Sequence, residues 1–169
     1  MRRASELAQS RGGRIFVGSF PSEVRPDHVT PETLRLVKKY AANRRLIIGA
    51  QTGSPRALKA IRRGHGPEAI LDAARLCREF KLFPYLDFIF GLPGETPEDE
   101  DAAMELISRL SGLGAMIHTH AFMPLPGTPL SGSPAAAISP RVVRFIEKLE
   151  SRGKAFGQWR AQLRASGGA

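Results

Sequence analysis

Phe88-Ile89-Phe90-Gly91-Leu92-Pro93-Gly94-Glu95-Thr96 is the stretch on which the fold of this chain turns. An apolar run from Tyr85 to Phe90 stops at a turn built from Gly91, Pro93 and Gly94. Thr96 then stands as an N-cap, with Pro97 at the first helical position. The order is buried strand, tight loop, helix. It leaves backbone N–H groups and the Glu95 carboxylate at the mouth of a sheet, where α/β proteins hold small polar ligands. The same residues also have plainer uses. The glycines and proline serve the turn itself, and Glu95 is an acid at a helix start.

Outward from this stretch the pattern repeats. A helix over residues 1–11 closes at Gly12-Gly13, and a strand follows from Arg14 to Phe20, ended by Pro21. Thr30-Pro31 opens a helix with Leu34, Val37 and Ala41 on one face. The second strand, Arg45 to Gln51, leads through Thr52-Gly53 to Ser54-Pro55 and a short helix. Pro67 opens the next, whose stripe of Ile70, Leu71, Ala74 and Cys77 makes the cysteine a core residue. After the central stretch, Ala103, Ile107 and Leu110 face the core, and Glu98 to Asp101 complement the helix dipole. A fourth strand spans Ala115 to Phe122, a Pro- and Gly-rich loop covers Met123 to Pro134, and Ser139-Pro140 opens another helix. The tail, Phe156 to Ala169, carries Trp159 and is expected to end frayed, and His65, in a Gly-x-Gly turn, to be exposed.

Strands alternating with helices give a parallel sheet with right-handed crossovers. The polar residues gather after the strands, the end at which barrels and doubly wound sheets bind ligands. His118 and His120 share one strand face. Two histidines at that spacing can ligate a metal, but the sequence shows no third ligand, so no metal site is assigned.

Composition limits the function classes. A chain of 169 residues, 42% hydrophobic, is long enough for one sizeable core. No apolar run reaches the length of a membrane span, and the start lacks the apolar segment of a signal peptide. The only cysteine cannot form an internal disulfide, which points to a reducing, cytoplasmic setting. The net charge of +9 is spread over helix faces without interleaved aromatics, which argues against a nucleic-acid groove.

Three motifs occur in order: Gly49-Ala50-Gln51-Thr52-Gly53-Ser54, the central Phe88 to Thr96, and Phe122-Met123-Pro124-Leu125-Pro126-Gly127-Thr128-Pro129-Leu130. Together with Phe20 to Pro26 and Arg62 to His65 they resemble the C-terminal half of a radical S-adenosylmethionine core. The closest resemblance is to the class that carries a cobalamin-binding domain. It covers roughly residues 14 to 160. It implies an incomplete (β/α) TIM-type barrel of about four parallel strands, the C-terminal portion of a (β/α)6 partial barrel. Residues 1–160 would form that barrel and 161–169 a tail.

The resemblance also implies a cosubstrate wall. Gln51, Thr52 and Ser54 stand where the family contacts the ribose and methionyl part of S-adenosylmethionine. Ile89, Gly91, Gly94 and Glu95 stand on the adenine side, with Phe122, Met123 and Pro124 from the last strand. Glu23 and Arg25 would meet the amino acid end, a guanidinium forking onto a carboxylate. The motif is imperfect: Asp87 replaces a glycine and Glu95 falls one place late. The family's [4Fe–4S] cluster rests on a Cys-x3-Cys-x2-Cys motif that this sequence lacks. The chain alone is therefore expected to be inactive. Its expected partner is a missing N-terminal half, from the same gene or a separate chain, which would bring the cluster and, in the class with a cobalamin-binding domain, cobalamin. The substrate is an unnamed small molecule. The alternatives are a non-catalytic half-barrel or partner subunit and, more weakly, a basic domain acting on RNA.

Overall fold

The structure is a computed structural model that describes residues 1–18 and 22–165. Among these, the regular elements in chain order are α1 (Arg2–Gln9), a 3-10 turn (Pro26–His28), α2 (Pro31–Tyr40), β1 (Arg45–Gln51), α3 (Pro55–Ala60), α4 (Pro67–Glu79), β2 (Phe83–Phe90), α5 (Pro97–Gly112), β3 (Met116–Ala121), α6 (Pro140–Ser151), β4 (Ala155–Gly157) and α7 (Trp159–Ala165). The strands form one parallel sheet in the order β1-β2-β3-β4.

That order separates a barrel from a doubly wound sheet. Right-handed crossovers that always step the same way place every crossover helix on one face. A doubly wound sheet reverses direction and covers both faces. Here Leu46, Ile48 and Ala50, then Leu86, Phe88 and Phe90, then Ile117, Thr119 and Ala121 are all buried against the helices. The opposite face is only partly covered, with Ile47, Tyr85, Ile89, Met116, His118 and His120 half-buried and Phe83 and Phe156 exposed. The chain is an arc of a barrel wall, concave on its open side. Each fully buried Leu, Ile or Phe of the covered face contributes about 1.5–3 kcal/mol.

The helix starts follow local chemistry. Thr30 and Thr96 close capping boxes, and Ser54 and Ser139 accept from the N–H three residues on, each with proline at the first turn. The acids of α5 act structurally. Asp99 completes its capping box, Glu100 accepts the Ser139 N–H at 2.9 Å, and Asp101 pairs with Arg141. Cys77 is fully buried in α4, and burial pushes its thiol up to about 12.

Two expectations are corrected. The described part of the expected first strand, 14–18, is irregular, and Phe20 and Pro21 lie outside the described residues. Gly18 adopts φ +57, which takes the chain out of the extended region. This segment still covers the β1 edge. Gly18 O accepts from Ile47 N at 2.9 Å, Val24 N donates to Ile47 O at 2.9 Å, and Val24 O accepts from Gly49 N at 3.0 Å. The tail carries regular structure that its sequence did not announce, β4 and then α7 through Ala165, while its expected frayed end, 166–169, lies outside the described residues. A three-residue strand is too short to show a period of two. The β4 backbone also packs closely on β3, since a Cβ on Gly157 would lie 2.0 Å from Thr119 O. Finally, His65 is 8% exposed, not open to solvent, because the turn between α3 and α4 tucks its ring inward.

Candidate functional site

A cavity of about 690 Å³ opens at the carboxyl ends of the strands. Of the twelve residues expected to hold a cosubstrate, Glu23, Gln51, Ile89, Phe122 and Met123 line it. They come from the loop before α2 and from the ends of β1, β2 and β3. Gln51 is placed by an irregular backbone. The β1–β2 register slips between Gly49 and Gln51, and Gln51 takes φ +70. Its amide folds back over Gly49, where any Cβ would lie 2.6 Å from the Gln51 Nε2. Glycine at 49 is what lets the side chain lie there.

The other expected residues lie off the cavity lining. Arg25 forks onto Asp27, Nε to Oδ1 at 3.0 Å and Nη2 to Oδ2 at 2.9 Å. Thr52 is fully buried, its hydroxyl accepting from Ser54 N at 3.3 Å. The Ser54 hydroxyl caps α3 and donates to Asp99. Gly91 and Gly94 carry φ +75 and +70 in the turn after β2. Glu95 closes that turn from within, its Oε2 accepting from Gly91 N at 2.6 Å and Leu92 N at 3.3 Å. Its Oε1 is buried with no partner among the described residues. Burial pushes the Glu95 carboxyl up to about 7 against the two N–H bonds that lower it. Pro124 sits exposed just past the lining.

Arg62, Arg63, Asp87, His120 and Gln162 also line the cavity, and none was singled out as cosubstrate-binding from sequence. The sequence signal for Asp87 was a carboxylate between Leu86 and Phe88, in a strand where a charge is costly unless partnered. Arg62 stands at φ +56, at the end of α3, and neither it nor Arg63 forms an ion pair among the described residues. Partial burial, then the nearby Arg25, lower the Arg63 pKa, and Glu23 and Asp27 act in the opposite direction. Gln162 Oε1 accepts from Ala121 N at 2.9 Å, closing the ladder where β4 has ended.

Asp87 and His118 are register partners across β2 and β3, and His118 Nδ1 lies 3.0 Å from Asp87 Oδ1. His120 Nε2 lies 3.2 Å from the same His118 nitrogen, and Gln162 Nε2 lies 3.4 Å from His120 Nδ1. The His118 ring stacks on Phe156 at 4.5 Å and 12°. Burial, then the neighbouring His118, push the His120 imidazole pKa down.

Residues 1–107 match the Radical SAM superfamily. The chain belongs to that superfamily. A tRNA-2-methylthio-N(6)-dimethylallyladenosine synthase of Verminephrobacter eiseniae is 35% identical over 131 residues, 74% of this chain and 28% of that protein. The chain spans 23–29% of the length of the first curated relatives it matches. Among solved structures, the radical SAM enzyme coproporphyrinogen III oxidase of Escherichia coli aligns with 98% of this chain and 36% of its own, at TM-score 0.62 and 20% identity. A radical S-adenosylmethionine methyltransferase of Kitasatospora setae, solved with cobalamin and a [4Fe–4S] cluster, aligns with 63% of this chain and 21% of its own, at TM-score 0.53 and 24% identity. These two likenesses place the radical SAM chain in the barrel fold. The superfamily implies S-adenosylmethionine and a [4Fe–4S] cluster. Among the described residues no helix is long and apolar enough to cross a membrane.

Proposed function

We propose that this chain forms the S-adenosylmethionine-binding wall of a radical SAM enzyme, with the cluster supplied by polypeptide outside residues 1–169. The observation that carries the reading is the cavity at the strand ends. Its lining joins an apolar wall, Ile89, Phe122 and Met123, to the polar Glu23 and Gln51 and the guanidinium side chains of Arg62 and Arg63. A cavity of about 690 Å³ is of the size that takes a small cofactor.

The chemistry of the donors matches the molecule. Ile89 and Phe122 offer flat apolar contact to a purine. Gln51 offers both a donor and an acceptor to ribose hydroxyls. Arg63 offers a fork to a carboxylate, and Glu23 an acceptor to an ammonium. S-adenosylmethionine supplies a 5′-deoxyadenosyl group when its sulfonium bond is cleaved; these residues would orient it and keep water from its purine face.

The cluster does not fit this chain. Such clusters are held by cysteine thiolates. Cys77 is the only cysteine, is fully buried away from the cavity, and its thiol is pushed up to about 12. The partner that would bring thiolates is an N-terminal half-barrel, and a cobalamin-binding unit would belong to that longer assembly. The exposed Phe83 and Phe156 and the half-buried Tyr85 and Met116 on the concave face support such a partner, because a closed barrel covers that face.

The test is calorimetric titration of the 169-residue chain with S-adenosylmethionine. Saturable one-to-one binding is expected, weakened ~tenfold or more in Arg63→Ala, which loses a charge-assisted bond, and roughly several-fold in Gln51→Ala, which loses a neutral one. No saturable binding, or binding unchanged in both variants, would sink the reading.

A further inference from the structure

We propose that Asp87, His118 and His120 form a three-ligand site for a borderline divalent metal ion, zinc by preference, on the concave face of the sheet. From sequence, His118 and His120 lacked a third ligand. The sheet supplies it, because Asp87 is the cross-strand partner of His118. One ligand atom from each lies within 4.8 Å of the others.

The spacing suits an ion. Two ligands of a tetrahedral zinc at about 2.0–2.1 Å from it stand roughly 3.3–3.4 Å apart. The Asp87 Oδ1–His118 Nδ1 and His118 Nδ1–His120 Nε2 separations are 3.0 and 3.2 Å. Hydrogen bonding alone accounts for this set poorly. The single His118 Nδ1 serves both Asp87 and His120, and one nitrogen carries at most one proton. A cation takes all three lone pairs at once.

The ligands are also held in place. His118 stacks flat on Phe156, and His120 sits between the His118 ring and the Gln162 amide. Outer contacts of this kind fix ligand rings. Two imidazoles with one carboxylate favour zinc or a neighbouring first-row ion over magnesium or calcium. Asp87 and His120 both line the cavity, so the remaining coordination positions face it and would take water or a donor atom of a bound molecule.

The inference does not rest on cosubstrate binding, and its test contains none. The chelator-stripped chain is titrated with Co2+, followed by its visible absorption, and then competed with Zn2+. One saturating equivalent is expected, weakened at least ~tenfold in Asp87→Asn and His120→Gln and unchanged in His28→Gln. Circular dichroism checks that each variant folds. A measurement without variants accompanies it: on adding Zn2+, the ring proton signals of His118 and His120 shift while those of His28 and His65 stay. Absence of a saturable visible band, equal affinity in the variants, or shifts at His28 or His65 in place of the pair would overturn the proposal.

Discussion

Arg56 and Asp99 join two helices that are far apart in sequence: the Arg56 Nε donates to Asp99 Oδ1 at 3.2 Å while its Nη2 bonds the other carboxylate oxygen. The same Nη2 also donates to Gly94 O at 2.7 Å. One guanidinium thus ties the start of α3 to the turn after β2 and to the first turn of α5. The carboxylate in turn holds Ser54 and the Thr96 N–H.

Asp99→Asn is expected to cost about 2–3 kcal/mol, since it weakens a cap and a buried charge-assisted network together. Burial alone would raise the Asp99 carboxyl, but Arg56, Ser54 and Thr96 outweigh it and hold it well below the usual carboxylate range. Its contribution is therefore present at neutral pH and above the unfolded value of 3.8, and is lost as pH falls below that. Urea unfolding at pH 7 and near pH 3 checks both points. A variant as stable as the wild type at pH 7 would contradict the assignment.

Glu95 has the opposite sign. Its carboxyl is raised from 4.5 to about 7, so the folded chain keeps a proton that the unfolded chain gives up. The stability it contributes is full below the unfolded value of 4.5 and declines as pH rises toward 7, by about 3 kcal/mol on the linkage relation. Glu95→Gln should match the wild type near pH 4 and exceed it at pH 8, measured as urea midpoints. Identical pH profiles would show that the carboxyl is not held protonated.

Gly53 is required by approach, not by its torsions. A Cβ there would lie 2.3 Å from Ala102 O and 2.8 Å from Ala103 Cα, backbone atoms that cannot swing aside. Gly53→Ala should push α5 from the loop after β1 and cost about 3 kcal/mol, the upper end for overpacking. Thermal unfolding would read it, and an unchanged midpoint would mean that α5 sits farther off.

Much of the architecture was legible because four helices announce themselves: Thr30, Ser54, Thr96 and Ser139 precede prolines, and the apolar runs of β1, β2 and β3 are long enough to read. Contacts across strands were less so. Gln51 was recognisable, but its fold back over Gly49 depends on a register slip that no local pattern encodes. Asp87 looked like a departure from a motif until β3 brought His118 beside it. Thr52 and Ser54 looked like hydroxyls for a ligand, but Thr52 bonds the Ser54 N–H and Ser54 bonds Asp99, forty-five residues on. His65 was misjudged because flanking glycines indicate a turn and not whether its side chain points in or out.

The bond from Ala121 N–H to Gln162 gives this wall a seam of a different kind from the rest of the sheet. Elsewhere the strands are stitched by main chain, and parting them means undoing several bonds at once. At this point the stitch is a single side chain on α7, whose amide nitrogen also lies 3.4 Å from His120 Nδ1. The shape of the rim beside His120 therefore depends on one residue of α7, which touches both the end of β3 and the His120 ring.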